Sequence, residues 1–215
     1  MKKLTWLLSL IIAFNSCGQA TESGERGVTN YDTLGAFAAF HVGIDSVNSE
    51  SYYSRGEFKY FELDDNEGAL ADLSRAIEID PEFSDAYILR GRVKAWLKDN
   101  EGALADFNKA IELDSVNSEA YHNRGILKYY ELDDNEGALA DFNKAIELDS
   151  VDSESYYSRS ILYRYNGDYE SSIADLRRAI MSDSLSSRYV ISPTAIYHNS
   201  LAKDLDELKK YEEAK

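Results

Sequence analysis

From Tyr52 to Asp183 the order of apolar and polar residues repeats with a period of 34 to 35 positions. Within each period an apolar stripe at helical spacing follows another helical stretch and a short polar turn. The stripe is Leu70, Leu73, Ala76 and Ile77 in one period and Leu104, Phe107, Ala110 and Ile111 in the next. Gly56, Gly91, Gly125 and Ser160 form one column of small residues, Ala69, Ala103, Ala138 and Ser172 a second, and Ala76, Ala110, Ala145 and Ala179 a third. A small residue fixed at one place in every period lets two helix backbones approach closely, where a larger side chain would hold them apart. Periods of this length stack into solenoids. The pattern therefore predicts an all-α solenoid of antiparallel helix pairs.

The start and stop signals agree with it. Asp65, Asp99, Asp134 and Asp168 stand before the second helices as N-caps, and Glu67, Glu101, Glu136 and Glu170 follow in the first turn, where the helix dipole favours acids. Breakers separate the units: Asp45-Ser46-Val47-Asn48, Asp80-Pro81, Asp114-Ser115-Val116-Asn117 and Asp149-Ser150-Val151-Asp152. Glu62 and Glu131 are single insertions, because Gly56 to Ala69 and Gly125 to Ala138 are one residue longer than Gly91 to Ala103. A bulge or a longer turn is expected there. Leu34 to Ile44 reads as a degenerate half-repeat. Ala195 to Ala214, with Tyr197, Leu201, Leu205 and Leu208 inward, reads as a closing helix after a connection from Ser184 to Thr194. The expected division is a half-repeat at 31–48, units at 49–83, 84–117, 118–152 and 153–186, and a cap at 187–215.

The first 30 residues follow a different pattern. Lys2 and Lys3 precede an apolar run from Leu4 to Phe14, the form of a secretory signal and too short for a finished membrane span. Asn15-Ser16-Cys17-Gly18 resembles a bacterial lipoprotein box, which implies a signal at 1–16, lipid on Cys17 and a polar tether at 17–30. Gly18-Gln19-Ala20 offers a competing site for ordinary cleavage. Cys17 is the only cysteine, so there is no disulfide framework. The resemblance implies an exported protein held in the cell envelope, since the three acyl chains that lipoproteins carry exceed the two hydrophobic signals that stable anchoring needs.

Arg55-Gly56, Arg90-Gly91 and Arg124-Gly125 in the first helices, with the Gly-Ala-Leu-Ala-Asp and Ala-Ile-Glu segments of the second helices, resemble the tetratricopeptide repeat family from Ser49 to Ser186. The resemblance implies a right-handed superhelix whose concave groove is lined by the first helices. Carried over position by position, the groove residues are Glu50, Tyr53, Glu57 and Tyr60; Asp85, Ile88, Arg92 and Ala95; Glu119, His122, Ile126 and Tyr129; and Glu154, Tyr157, Ile161 and Arg164. Phe61, Trp96, Tyr130 and Tyr165 lie beside them. Such a groove would take an extended or helical peptide, its rings supplying burial and its carboxylates selecting basic side chains. The tyrosines could equally pack between units, and a glycan or small ligand stacked on the rings is the alternative occupant. The clamp with which the family grips a C-terminal Glu-Glu-Val-Asp peptide needs Lys and Asn where this chain has Tyr53, Glu57, Leu89 and Glu119, so the resemblance does not extend to that chaperone partner.

Charge narrows the partners. Asp and Glu number 39 against 23 Lys and Arg, a formal net charge of −16. Such a chain is repelled by nucleic acid and by anionic lipid surfaces; its acidity serves either solubility or a preference for basic partners. Arg55, Arg90, Arg124 and Arg159 recur with Lys59, Lys94 and Lys128 four residues on, and Asp72, Asp106, Asp141 and Asp175 recur on the second helices. A set present in every unit reads as a ladder of ion pairs between helices. There is no phosphate-binding glycine loop, no G-x-S-x-G and no Cys/His cluster of metal-ligand spacing. His41, His122 and His198 lie in separate regions, and only His122 falls on the groove stripe. A non-catalytic binding protein without cofactor or metal is expected.

Overall fold

The computed structural model describes residues 48–186 and 194–213. Cys17, the signal-like run, the tether at 17–30, the half-repeat pattern at 34–44 and residues 187–193 of the expected connection lie outside the described residues. The described helices are α1 (Ser49–Phe61), α2 (Asn66–Ile79), α3 (Ser84–Trp96), α4 (Asn100–Leu113), α5 (Ser118–Glu131), α6 (Asn135–Leu148), α7 (Ser153–Tyr165), α8 (Tyr169–Ser186) and α9 (Thr194–Glu213). Each odd-numbered helix up to α7 packs along the helix that follows it, each pair packs on the next, and α9 closes against α8.

Aspartates set the helix boundaries. Asp65, Asp99 and Asp134 accept the N–H of Gly68, Gly102 and Gly137 at 3.0, 3.0 and 2.9 Å, and Asp168 accepts that of Ser171 at 3.1 Å. Each satisfies an orphan donor of the helix start. Asp80, Asp114 and Asp149 end the second helices and turn the chain by accepting the N–H groups of Glu82, Val116 and Val151 at 3.0, 3.1 and 3.0 Å. Phe83, after the proline, makes no side-chain cap to α3.

The two insertions are absorbed in the turns between paired helices. After α3, Asp99 N–H reaches Lys94 O at 2.9 Å and Lys98 N–H reaches Ala95 O at 3.1 Å, with Lys98 left-handed at φ 66°. The turn after α7 repeats this Schellman closure through Asp168 and Gly167, whose φ is 77°. After α1 and α5 the closing bond spans one residue more, from Asp65 N–H to Lys59 O at 2.9 Å and from Asp134 N–H to Lys128 O at 3.0 Å. Asp64 and Asp133 take the left-handed place there. The longer ring keeps the capping aspartate in register.

The small-residue columns meet large partners. A Cβ built on Gly91 would lie 2.7 Å from Phe107 Cε1, one on Gly125 2.7 Å from Phe142 Cε1, and one on Gly56 2.9 Å from Leu73 Cγ. Ser160 keeps its side chain in the unit where Leu176 stands at the position of Phe107 and Phe142, and both are fully buried. The alanine columns are fully buried as well.

Two expectations at the C-terminal end are corrected. The residues from Ser184 to Ser186, expected in a connection, are the last of α8. Leu205, expected to face inward, is 42% exposed, and the buried positions of α9 are Tyr197, Ser200 and Asp204. The cause is a polar seam: Asp204 accepts the Ser172 hydroxyl at 2.6 Å and sits 3.0 Å from Arg164 Nε, which rotates the leucine outward.

Candidate functional site

Steps of three and four residues place the stripe positions of α1, α3, α5 and α7 on one face of each helix. Among the described residues, three recesses open along these faces. One, of about 490 Å³, lies between α3 and α5, with Tyr60, Trp96 and Tyr130 as walls, Ala95, Phe107, Ile126 and Leu127 below them, and Arg92 and Lys98 at the edge. A second, of about 190 Å³, gathers Tyr53, Glu57, Phe61, Asp85 and Ile88 with Arg92 and Glu119. A third, of about 350 Å³, gathers Glu119, His122, Asp149, Asp152 and Glu154 with Arg92, Asn123 and Ile126.

Arg92 belongs to all three. Its Nη1 lies 3.4 Å from Glu119 Oε1, and its guanidinium sits 5.1 Å from the Phe61 ring centre and 5.8 Å from that of Tyr60. Sequence position put a cation among the groove residues without revealing that it stands at their centre. Burial, then the charges of Glu57, Asp85 and Glu119, push the Tyr53 phenol far above its ordinary range, so it stays a hydrogen-bond donor. Burial also raises the Tyr130 phenol.

Other expected groove residues enter a recess only as buried wall or stand apart from all three. Ile88 is 3% exposed and packs in a core cluster with Phe107, Ala120 and Leu127. His122 is 7% exposed and its Nε2 lies 3.0 Å from Ser158 Oγ of α7. Burial lowers its pKa against the opposing pull of Asp152, Glu154 and Glu119, which keeps it neutral at neutral pH. Tyr157 packs on Tyr197 of α9 at 4.9 Å between ring centres. Tyr129 is half-buried between Tyr130 at 4.7 Å and Tyr165 at 6.3 Å. Glu50 and Tyr165 are exposed and line none of the three recesses. Lys98, Asn123, Asp149 and Asp152 line recesses without having been expected. Three of them lie in turns, and the recurrence of the breaker aspartates was the signal that could have found Asp149 and Asp152.

The recurring charges form the expected ladder. Arg55, Arg90, Arg124 and Arg159 each grip Asp72, Asp106, Asp141 and Asp175 with two parallel hydrogen bonds of 2.5 to 2.9 Å. Lys59, Lys94 and Lys128 reach the same carboxylates at 2.7 to 2.8 Å. Each guanidinium also lies 5.0 to 5.8 Å from the ring centre three residues earlier, that of Tyr52, Tyr87, Tyr121 or Tyr156. Among the described residues no group of three or more His, Cys, Asp or Glu is placed to hold a metal ion.

Solved structures share the helix-pair architecture. The chain is similar to MamA, with a TM-score of 0.58 and 19% identity over 67% of this chain and 84% of that one. It is similar to a chain of the Cut9-Hcn1 hetero-tetramer of the APC/C, with a TM-score of 0.72 and 16% identity over 85% of this chain and 34% of that one. It is also similar to the first TPR of Spaghetti (RPAP3) bound to the HSP90 peptide SRMEEVD, with a TM-score of 0.53 and 22% identity over 59% of this chain and 98% of that one. At these identities the likeness shows the fold alone. A search of curated proteins finds no significant match. Models described as tetratricopeptide repeat match residues 60–118, 118–152 and 153–184. With its paired helices, its small-residue columns and these matches over more than half its length, the chain belongs to the tetratricopeptide repeat family.

Proposed function

We propose that this protein is a non-catalytic scaffold that holds a protein partner by taking a peptide segment across the faces of α1, α3, α5 and α7, and that lipid on Cys17 tethers it in the bacterial cell envelope. The observation that carries the first part is the run of three recesses sharing Arg92, bordered by rings left in water: Trp96 is 64% exposed and Tyr130 60%. Exposed aromatic side chains beside concave, partly polar pockets are the usual anchors of protein interfaces. The RPAP3 domain carries an HSP90 peptide. In this chain Tyr53, Glu57, the buried Leu89 and Glu119 stand in place of the clamp for such peptides, and a different partner is implied.

The test is a photo-reactive phenylalanine analogue at Tyr130, irradiated in cells. A stoichiometric protein adduct supports the scaffold reading. Recovery of glycan or cell-wall fragments alone transfers the face to a sugar-binding role. For the tether, palmitate labelling is lost in Cys17→Ser; label that persists removes the anchor from Cys17.

A further inference from the structure

We propose that the binding face reads two neighbouring side chains of its partner: a large apolar one in the recess between α3 and α5, and a lysine or arginine two to three residues away in the recess between α5 and α7. This rests on the peptide-scaffold reading and commits it to a chemistry.

The two recesses differ in their charge balance. In the first, Lys98 is paired with Glu131 at 2.8 Å and Arg92 leans on Glu119, so nothing there asks for a charged ligand. The rings of Trp96 and Tyr130 stay in water, and covering them gains roughly 25 cal/mol for each Å² of apolar surface removed. A volume of about 490 Å³ admits a leucine or an aromatic side chain.

The recess between α5 and α7 is acidic. Glu119, Asp149, Asp152 and Glu154 surround it, and among the described residues Arg92 is the one cation lining it. Asp149 Oδ1 accepts the N–H of Val151 and Asp152 Oδ1 that of Glu154, both at 3.0 Å, and neither carboxylate has a basic partner among the described residues. Glu154 makes no ion pair among the described residues. His122 is buried in the wall as a neutral ring and offsets none of the charge. The recess of about 190 Å³ sets Arg92 against three carboxylates, Glu57, Asp85 and Glu119, where this one sets it against four. Excess negative charge in a recess of about 350 Å³ fits an elongated cationic side chain.

The recesses adjoin, since both include Arg92, Asn123 and Ile126. Their α5 residues centre about six positions apart, or roughly 9 Å along the helix at ~1.5 Å per residue. An extended chain covers that in two to three residues at ~3.3–3.6 Å each.

The test begins by selecting random twelve-residue peptides, displayed on phage, on the full-length protein. The expected consensus holds an aromatic or large aliphatic residue with Lys or Arg two to three positions away. A fluorescein-labelled consensus peptide then loses about tenfold in affinity for Glu119→Gln/Glu154→Gln, the sum of two ion pairs at the rim. Its Lys→Gln derivative binds both proteins equally, and Trp96→Ala weakens both peptides about tenfold or more. A consensus without a basic residue at that spacing overturns the inference, as does a derivative that distinguishes the two proteins as strongly as its parent. If selected peptides cross-link to α1, α3, α5 or α7 but lack the basic residue, the scaffold reading survives and this one falls. If they cross-link elsewhere, or none is selected, both fall.

Discussion

Arg124 holds Asp141 with two parallel hydrogen bonds, Nε to Oδ2 at 2.9 Å and Nη2 to Oδ1 at 2.6 Å, and turns its third nitrogen to Asn108 of the preceding unit at 2.7 Å. One side chain thus ties α5 to its own α6 and to α4. Asp141 is 3% exposed, and Arg124→Met would leave its charge buried with Lys128 as the remaining cation at 2.8 Å. Breaking a buried pair costs about 3–5 kcal/mol; with Lys128 in place, a loss of about 2–3 kcal/mol in denaturant unfolding is expected. Peptide binding at a temperature where the variant is folded should be unchanged. Stability held with binding lost would make the ladder a ligand site.

The column that pairs Gly125 with Phe142 gives a second prediction. Gly125→Ala places a methyl 2.7 Å from Phe142 Cε1, and the ring is fully enclosed. Overpacking of this kind costs about 1–3 kcal/mol. The fourth unit carries a side chain in this column, Ser160, with Leu176 at the position equivalent to Phe142, and both are fully buried. Gly125→Ala/Phe142→Leu should therefore recover part of the loss. A double variant no more stable than the sum of its parts would show that the two sites do not share one space.

The ladder and the columns are legible in the sequence because every unit repeats them and each partner sits in the same unit or the next. The groove is less so. Ile88 and His122 have the same helical position as Tyr53, yet the next unit covers both, the imidazole through Ser158. Whether a stripe residue is open depends on what its neighbour presents, and the stripe itself does not carry that. Leu205 failed for a related reason. Hydrophobic spacing favours a leucine on the inner face of α9, whereas Asp204 is held there by Ser172 and Arg164. The longer turns after α1 and α5 were foreseen because an insertion is a count, independent of contacts.

Those turns supply a third prediction. Asp133 stands at φ 53°, where Gly167 stands in the fourth unit at φ 77°. A left-handed conformation costs a residue with a Cβ about 1–2 kcal/mol, which glycine avoids at the expense of more entropy in the unfolded chain. Asp133→Gly is expected to raise stability by up to about 1 kcal/mol. A lower denaturation midpoint would mean that the aspartate side chain compensates for its own strain.

The seam between α5 and α7 should respond to mild acid through His122. Its pKa is lowered in the folded chain, chiefly by burial, with Asp152, Glu154 and Glu119 opposing and Arg92 adding to the fall. As pH drops below the ordinary histidine value of about 6.5, the unfolded chain takes up the proton first. The unfolded state then binds more protons, so stability falls with pH through that window until the folded pKa is reached. The carboxylates act lower. Asp72, buried but held below the usual range by hydrogen bonds from Arg55 and Lys59, keeps its contribution above about pH 4 and loses it beneath. Guanidinium unfolding between pH 7.5 and 5.5 should therefore show a decline in the native protein that His122→Gln flattens, even though the variant starts lower at pH 7.5. His198→Gln, at an exposed position on α9, should leave the decline intact. An unchanged slope in His122→Gln would assign the acid response to another group and leave the His122–Ser158 contact a matter of packing alone.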